Sequence, residues 1–235
     1  YPVGFWRKRP YRALDRLTLD VQPSEVFGFL GPNGAGKTTT LKLLMQLVYP
    51  TSGEAKILGR PVGDLEIRRR IGYLPENPYF YDNLTAEELL GYFAALFDMP
   101  ASQRQARVSA LLDEVGLGAE RRMQLRKYSK GMVQRVGIAQ ALVNDPEVVF
   151  LDEPTVGIDP ELRVQFWAHF RRLAAAGTTI LVSSHVMDEA DRCDELLLVR
   201  AGRVIAQGTA DELRRRGGSE RLEDAFLRLS GEAVA

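Results

Sequence analysis

The sequence is poor in several kinds of residue, and each scarcity excludes a class of protein. Its 235 residues include one cysteine, Cys193, which excludes an internal disulfide and any metal cluster built on several cysteines. No apolar run approaches the roughly 20 residues of a membrane-spanning helix, and the first residues lack a signal-peptide core. Lysine plus arginine and aspartate plus glutamate both number 31, so there is no overall basic field to attract nucleic acid. We therefore expect a chain that is soluble by itself and has no nucleic-acid partner.

The length allows a large buried core, and it suggests one domain that carries a smaller lobe. The chain begins at Tyr1 rather than at methionine, which suggests that an N-terminal strand is missing from it. Residues 14–21 alternate between apolar and polar types and predict a strand at a hairpin edge.

The rest of the sequence is organised around residues 26–40. A mostly apolar run, residues 26–30, predicts a short buried strand, and a glycine-rich turn then leads into apolar positions at helical spacing. The turn matches the phosphate-binding pattern G-x-x-x-x-G-K-[ST], whose glycines let backbone N–H groups close around an anion. Its lysine would supply charge to the β- and γ-phosphates, and its threonine a hydroxyl to Mg²⁺. The candidate nucleotide-binding residues are Gly31, Pro32, Asn33, Gly34, Ala35, Gly36, Lys37, Thr38 and Thr39.

Residues 76–145 show helical patterns, whereas the flanking segments alternate between strand and helix. Thr85 and Glu88 have capping-box spacing before one such helix, and Ser129 begins another that Asp145 ends. The pattern predicts an α/β fold with an inserted helical subdomain. Its predicted parts are an α/β core (residues 1–75 and 146–215), the helical subdomain (76–145) and a helical tail (216–235).

Three candidate site residues follow buried strands. Asp152 and Glu153 end the apolar run of residues 148–151, and His185 ends a strand predicted at residues 178–184. The carboxyl ends of parallel strands face the ligand crevice of such folds. Asp159 and Pro160 are typical of a helix N-cap and first turn, whereas His169 lies within a predicted helix and has a surface or core role.

With these motifs in this order, the sequence resembles the ATP-binding cassette (ABC) ATPases over nearly its full length. The motifs are Gly31 to Thr38 (Walker A), Tyr73-Leu-Pro-Glu76 (the Q-loop position), residues 128–135 (the signature), residues 148–153 (Walker B), residues 157–159 (the D-loop) and residues 183–185 (the H-loop). The resemblance implies a P-loop NTPase core with an antiparallel β edge subdomain and an inserted α-helical subdomain. It also implies ATP as substrate and Mg²⁺ as cofactor.

The resemblance assigns a role to each candidate. Glu153 is the candidate general base, and His185 and Lys37 contact the γ-phosphate. Thr38, Glu76 and Asp152 are the candidate metal ligands. Ser129, Lys130 and Gly131 of the signature would bind ATP held by the opposite subunit, which implies a head-to-tail dimer with Asp159 in the D-loop. Lys130 replaces the more usual signature glycine, Tyr128 the leucine, and Glu76 the glutamine that names the Q-loop.

Adenine stacks on an aromatic residue upstream of the phosphate loop in these ATPases. Tyr1, Phe5 and Tyr11 are the candidates, and Tyr1 fits best if residues 5–11 form a hairpin insertion.

The sequence thus indicates an ATP-hydrolysing subunit that dimerises with itself or with a second such ATPase. It would lie on the cytoplasmic face of the membrane and drive separate membrane-spanning subunits. The motifs and the closing segment at residues 222–227 resemble single-domain exporter subunits. Two alternatives are a chromosome-maintenance or repair ATPase, which would need a long coiled coil before Ser129, and a nucleotide switch without turnover, against which an intact Glu153 argues.

Overall fold

The computed structural model describes residues 2–3, 9–10 and 12–231. The strands are β1 (Pro2–Val3), β2 (Arg9–Pro10), β3 (Val26–Leu30), β4 (Lys56–Ile57), β5 (Arg60–Pro61), β6 (Ile71–Leu74), β7 (Val148–Asp152), β8 (Thr179–Ser184), β9 (Glu195–Arg200) and β10 (Arg203–Gly208). The helices are α1 (Lys37–Leu44), α2 (Leu65–Arg68), α3 (Ala86–Leu96), α4 (Ala101–Glu114), α5 (Lys130–Ala141), α6 (Pro160–Ala175), α7 (Ala210–Gly217) and α8 (Leu222–Leu229), with short 3₁₀ helices at Leu125–Lys127 and Met187–Arg192.

The chain divides into two compact units, residues 1–63 with 182–235 and residues 64–181, and β8 begins in the second and ends in the first. In the first unit β3 runs parallel to β9, with Phe27 opposite Glu195 and Leu30 opposite Leu198. All five residues of β3 are buried, as expected for a strand covered on both faces. β9 turns back into antiparallel β10 through a hairpin at Ala201.

In the second unit β6 runs parallel to β7, with Ile71 opposite Val148 and Leu74 opposite Leu151. Helix α5 packs closely on β6, because Gly72 has no side chain: a Cβ there would lie 1.9 Å from the carbonyl oxygen of Ala141.

Most of the remaining described part of this unit is helical, as the sequence predicts for residues 76–145. The capping box that opens α3 is confirmed, since Thr85 Oγ1 accepts from Glu88 N–H and the Glu88 carboxylate accepts from Thr85 N–H. The exact domain boundaries at residues 75, 145 and 215 stay predictions.

Two predicted elements are wrong in detail. The described residues 12–25 contain no strand, because Arg16 (φ 56°) and Ser24 (φ 64°) take left-handed conformations that interrupt an extended backbone. Helix α5 ends at Ala141 rather than Asp145. Asn144 draws the chain away from the helix, since its amide donates to the carbonyl oxygens of Arg69 (2.9 Å) and Ile71 (3.1 Å).

The C-terminal helices α7 and α8 pack on each other in the first unit. Glycine at position 217 permits their approach, because a Cβ there would lie 2.5 Å from Ala225. In the part of the chain that the structure describes, no helix has the length and apolar character needed to cross a membrane.

Candidate nucleotide-binding site

In the first unit, the predicted phosphate loop joins β3 to α1. The Ala35 N–H donates to Pro32 O (3.1 Å) and the Thr40 N–H to Gly36 O (2.9 Å), so the turn passes directly into the helix. Lys37 is 5% exposed, and its ammonium donates to the carbonyl oxygens of Gly31 (2.7 Å) and Pro32 (3.4 Å). The loop therefore holds its lysine charge by its own backbone, at the edge where an anion would bind.

Two glycines of this loop are there for different reasons. Gly31 must approach the neighbouring strand, since a Cβ would lie 2.1 Å from the carbonyl oxygen of Val199. Gly36 is the N-cap of α1 and has a φ of 110°, which glycine adopts readily and other residues do not. A Cβ at Gly36 would also lie 2.7 Å from Leu14 Cδ2.

The rest of the loop is open to a ligand. Pro32, Asn33 and Gly34 are exposed, and Thr38 and Thr39 are half-buried in the first turn of α1. That turn has no acidic side chain, so the positive end of the helix dipole is not neutralised.

His185 directly follows β8, in the same unit. Its two neighbours in the sequence, Ser184 and Val186, are hydrogen-bonded to each other through the Ser184 hydroxyl. Ser184 Oγ accepts from the Val186 N–H (3.0 Å) and donates to Glu189 Oε2 (2.7 Å). The Ser184 carbonyl oxygen also accepts from the Gly31 N–H (3.4 Å), so the H-loop and the phosphate loop are joined directly. His185 itself is exposed.

In the second unit, two buried carboxylates lie at the carboxyl end of β7. Asp152 is fully buried and Glu153 is 6% exposed. Glu153 has a φ of 52°, a left-handed conformation that is uncommon for a residue with a side chain. Its carbonyl oxygen accepts from the Val156 N–H (3.3 Å), which closes a turn directly after the strand.

Sequence reasoning missed one residue in this region. Gln134 lies within the signature (residues 128–135), but the sequence pattern of the signature assigns no role to the Gln134 side chain. It is 4% exposed, and its Nε2 donates to the carbonyl oxygens of Glu153 (3.4 Å) and Pro154 (3.2 Å). A polar residue on a helix face that otherwise buries apolar and small side chains was the only available signal.

The signature forms the start of α5. Ser129 is the N-cap, and its Oγ accepts from the Met132 N–H (3.2 Å). Lys130 is exposed, and its aliphatic carbons run past the D-loop: a Cβ on Gly157 would lie 3.5 Å from Lys130 Cδ. A Cβ on Gly131 would lie 3.2 Å from the Gly157 carbonyl oxygen. The signature and the D-loop are therefore in contact within one unit.

Asp159 is the N-cap of α6, as predicted, and its Oδ1 accepts from the Leu162 N–H (2.9 Å). Glu76 is exposed at the end of the segment that follows β6. Burial, together with the charges of Asp152 and Glu76, raises the pKa of the Tyr73 hydroxyl to about 12. These two candidate metal ligands therefore both lie within electrostatic range of Tyr73.

His169 packs in the core of the second unit. Its ring is 5% exposed, and Nδ1 lies 3.1 Å from Glu114 Oε1. Burial lowers the pKa of His169, and this effect outweighs the attraction of Glu114.

The structure thus gathers the predicted residues within each unit. The first unit has the phosphate loop and His185, and the second has Asp152, Glu153, Glu76, Asp159 and the signature. Tyr1, Phe5 and Tyr11 lie outside the described residues, so the adenine assignment stays a prediction.

Comparison with known proteins agrees with this geometry. A family model described as ABC transporter matches residues 14–156, which is more than half of the chain. The chain belongs to the ABC transporter family. An uncharacterized ABC transporter ATP-binding protein of Nostoc sp. is 47% identical over 216 residues, which are 91% of this chain and 64% of that protein. The chain therefore spans less than two thirds of the length of that relative.

Two further members resemble the chain. The daunorubicin resistance ATP-binding protein DrrA3 of Streptomyces coeruleorubidus is 41% identical over 95% of this chain and 72% of its own length. A dimeric ATP-binding cassette, solved in a post-hydrolysis state with ADP and phosphate, superposes with a TM-score of 0.82 at 26% identity, covering 89% of this chain and 94% of that one. The predicted α/β fold of a P-loop ATPase cassette is confirmed.

Proposed function

We propose that this chain is the ATP-hydrolysing subunit of an ABC transporter. The observation that carries the proposal is the phosphate loop, in which a buried lysine and the open start of α1 face the same turn. The Lys37 ammonium donates to the carbonyl oxygens of Gly31 and Pro32, and bound phosphate oxygens would be stronger, charged acceptors for it.

Hydrolysis requires a group that orients or deprotonates water beside the γ-phosphate. Glu153, at the carboxyl end of β7, is the proposed general base, and His185 the proposed donor to the phosphate. Both follow strands directly, so their backbones are fixed while their side chains remain available to substrate.

The residues present fit Mg²⁺. Thr38 and Asp152 offer oxygen atoms, the ligands that Mg²⁺ prefers, and this ion is commonly held by one or two protein oxygens together with water and substrate phosphates. When bound, Mg²⁺ would offset charge that develops on the phosphates. Asp152 would hold it, and Thr38 would contribute its hydroxyl.

We propose further that two such subunits form a head-to-tail dimer with ATP between them. In support, Ser129 caps a helix whose first turn carries no acidic residue and whose N-terminus would attract phosphate. The similar cassette solved with ADP and phosphate is dimeric. Lys130 and Gly131 would present backbone N–H groups to the nucleotide of the opposite subunit.

The proposed partners are membrane-spanning subunits that the chain serves from the cytoplasmic face. Three tyrosines of the second unit are unusually exposed and suit a protein contact: Tyr79 is 89% exposed, Tyr81 66% and Tyr92 52%. Export is the proposed direction, and the similarity to a daunorubicin resistance ATP-binding protein supports it.

ATP turnover and ATP-dependent dimerisation test the proposal together. The purified chain should release phosphate from ATP in Mg²⁺ and not in EDTA. The Glu153→Gln variant should elute as a dimer with ATP and Mg²⁺ and as a monomer with ADP. A chain that binds ATP without turning it over would favour the nucleotide switch. Copurification with DNA instead of a membrane protein would favour the chromosome-maintenance ATPase.

The proposed contact of Glu76 with the metal has its own test. A carboxylate can ligate Mg²⁺ as a glutamine carbonyl does, but it adds a negative charge near the phosphates. We expect Glu76→Gln to keep ATPase activity within a few fold at saturating Mg²⁺ and to lower the Mg²⁺ dependence of ATP binding, and Glu76→Ala to uncouple hydrolysis from the membrane partner. Superimposable Mg²⁺ titrations of ATP binding for the wild type and Glu76→Gln would show that this carboxylate does not meet the metal.

A further inference from the structure

The backbone of Glu153 departs from the conformation that its sequence favours. Its φ of 52° is left-handed, which costs a residue with a Cβ about 1 to 2 kcal/mol. Pro154 follows it, and a residue before proline is restricted by sterics toward extended conformations. Glycine would satisfy the turn with less strain, so the glutamate must be held in place by other parts of the structure.

Two groups hold the peptide that joins Glu153 to Pro154. The Val156 N–H donates to the Glu153 carbonyl oxygen, and this bond belongs to the turn itself. The Gln134 amide comes from another element, α5, and donates to the carbonyl oxygens on both sides of that proline. Its side chain is 4% exposed, so little water is present to replace the Gln134 amide as a donor to these two carbonyl oxygens.

Gln134 also connects this turn to the signature. Ser129 caps the same helix only five positions earlier in the sequence, so the two residues are about one and a half helical turns apart. A rigid helix of this length moves as one piece. Any displacement of the cap that a bound phosphate causes is therefore passed to the amide of Gln134, and from there to the backbone of Glu153.

We propose that Gln134 is a positioning residue for Glu153 and that it couples the signature to the carboxylate of the same chain. The proposal rests on the function proposed above, in which the signature and Glu153 serve different nucleotides of the dimer. Engagement of one nucleotide by the signature then sets the geometry of the base that acts on the other.

The first test separates turnover from binding. Gln134→Met keeps the length and volume of the side chain and removes the donor. We expect kcat to fall about tenfold, the scale of one lost buried hydrogen bond, while the Kd for ATP stays within twofold. Gln140→Met is the matched control, because it makes the same change on a half-exposed position of the same helix. If kcat of Gln134→Met stays within twofold of the control, the proposal fails.

A second comparison asks whether Gln134 acts through Glu153. In the Glu153→Gln background, which removes the base, adding Gln134→Met should leave the residual hydrolysis rate unchanged. A further tenfold fall in that background would mean that Gln134 acts on the fold in general. If Gln134→Met does not fold, Gln134→Asn replaces it, because it shortens the side chain by one methylene and keeps it polar. It should likewise lower kcat and leave the Kd for ATP nearly unchanged.

The third measurement does not need ATPase activity, so it distinguishes a failure of this inference from a failure of the proposed function. Gln134→Met should lower Tm by about 2 to 4 °C. In the Glu153→Gly background the left-handed conformation at position 153 is no longer strained. There, Gln134→Met should lower Tm by less than half of its effect in the wild-type background. Equal losses in the two backgrounds would overturn the coupling even in an active enzyme.

Discussion

The phosphate loop and the turn after β7 both leave the end of a strand through left-handed residues, but they hold that conformation in different ways. The loop has glycine at its left-handed positions, Gly34 (φ 78°) and Gly36 (φ 110°), and needs little support from elsewhere. The turn has Glu153, because its proposed chemistry needs a carboxylate at that position. Gln134 and the turn itself then supply the stabilisation that glycine would have made unnecessary.

This difference indicates how each of the two regions is vulnerable to substitution. In the proposed function, the loop binds phosphate through backbone groups together with the Lys37 ammonium, so its conformation must be kept. The turn would act through the side chain of Glu153, whose backbone contacts Gln134, a residue 19 positions earlier in the sequence. Substitutions in the loop should therefore act on nucleotide affinity, and substitutions around the turn on turnover.

The largest expected effect is that of Lys37→Ala. Loss of the charged contact to phosphate should lower ATP affinity between several fold and about a thousandfold and abolish turnover, at roughly 1.5 to 3 kcal/mol per charged hydrogen bond and more where water is excluded. Titration with fluorescent ATP measures this, and Lys42→Ala on the same helix is the control. Undiminished ATPase activity in Lys37→Ala would show that the loop is not the site.

Glu153→Gln should have the next largest effect, and it should act on turnover and not on nucleotide affinity. We expect it to bind ATP with wild-type affinity and hydrolyse it at least about a hundredfold more slowly, the scale of a lost general base. Single-turnover phosphate release measures the rate. A loss of affinity that matches the loss of rate would contradict the division between a binding loop and a reacting turn.

Two substitutions in the loop separate conformational strain from steric conflict. A Cβ at Gly34 meets no heavy atom within 4 Å, so Gly34→Ala should cost only the left-handed strain, about 1 to 2 kcal/mol. Gly36→Ala adds a contact of 2.7 Å with Leu14 Cδ2 and should cost more. Chemical denaturation of both variants gives the two values. Equal losses of stability in the two variants would mean that the loop shifts to accommodate a Cβ at position 36.

The smallest expected effect concerns the core of the second unit. Burial lowers the pKa of His169 below its ordinary value, so below a pH of about 6.5 the unfolded chain takes up a proton that the folded chain resists. Stability contributed by neutral His169 is therefore present above that pH and is lost as the pH falls. We expect the free energy of unfolding to decline less from about pH 7 to pH 5.5 in His169→Gln than in the wild type, with a difference in slope of less than about 1.4 kcal/mol per pH unit, measured by chemical denaturation.

His185→Gln provides the matched control for this measurement, because it makes the same substitution at the only other histidine of the sequence. If both variants keep the wild-type slope, protons are taken up elsewhere on unfolding.

Local patterns predicted much of the fold correctly. The strand at Val26–Leu30, the capping box at Thr85 and the N-caps at Ser129 and Asp159 each depend on a few neighbouring residues. The strand expected at residues 14–21 failed for the converse reason. Asp15 is bound by Arg203 (2.9 Å) and its N–H donates to Gly202 O (2.7 Å), so contacts far along the chain fix that segment.

By itself, the sequence predicted the phosphate loop, because glycine spacing, a lysine and a following helix are local features that favour an anion site. It also determined which carboxylates and which histidine follow buried strands. Only the tertiary structure decided that Gln134 reaches the Glu153 turn, that Ser184 joins the phosphate loop to His185, and that His169 is buried beside Glu114. Each of these contacts joins segments that are distant in the sequence, so periodicity and motif spacing do not predict it.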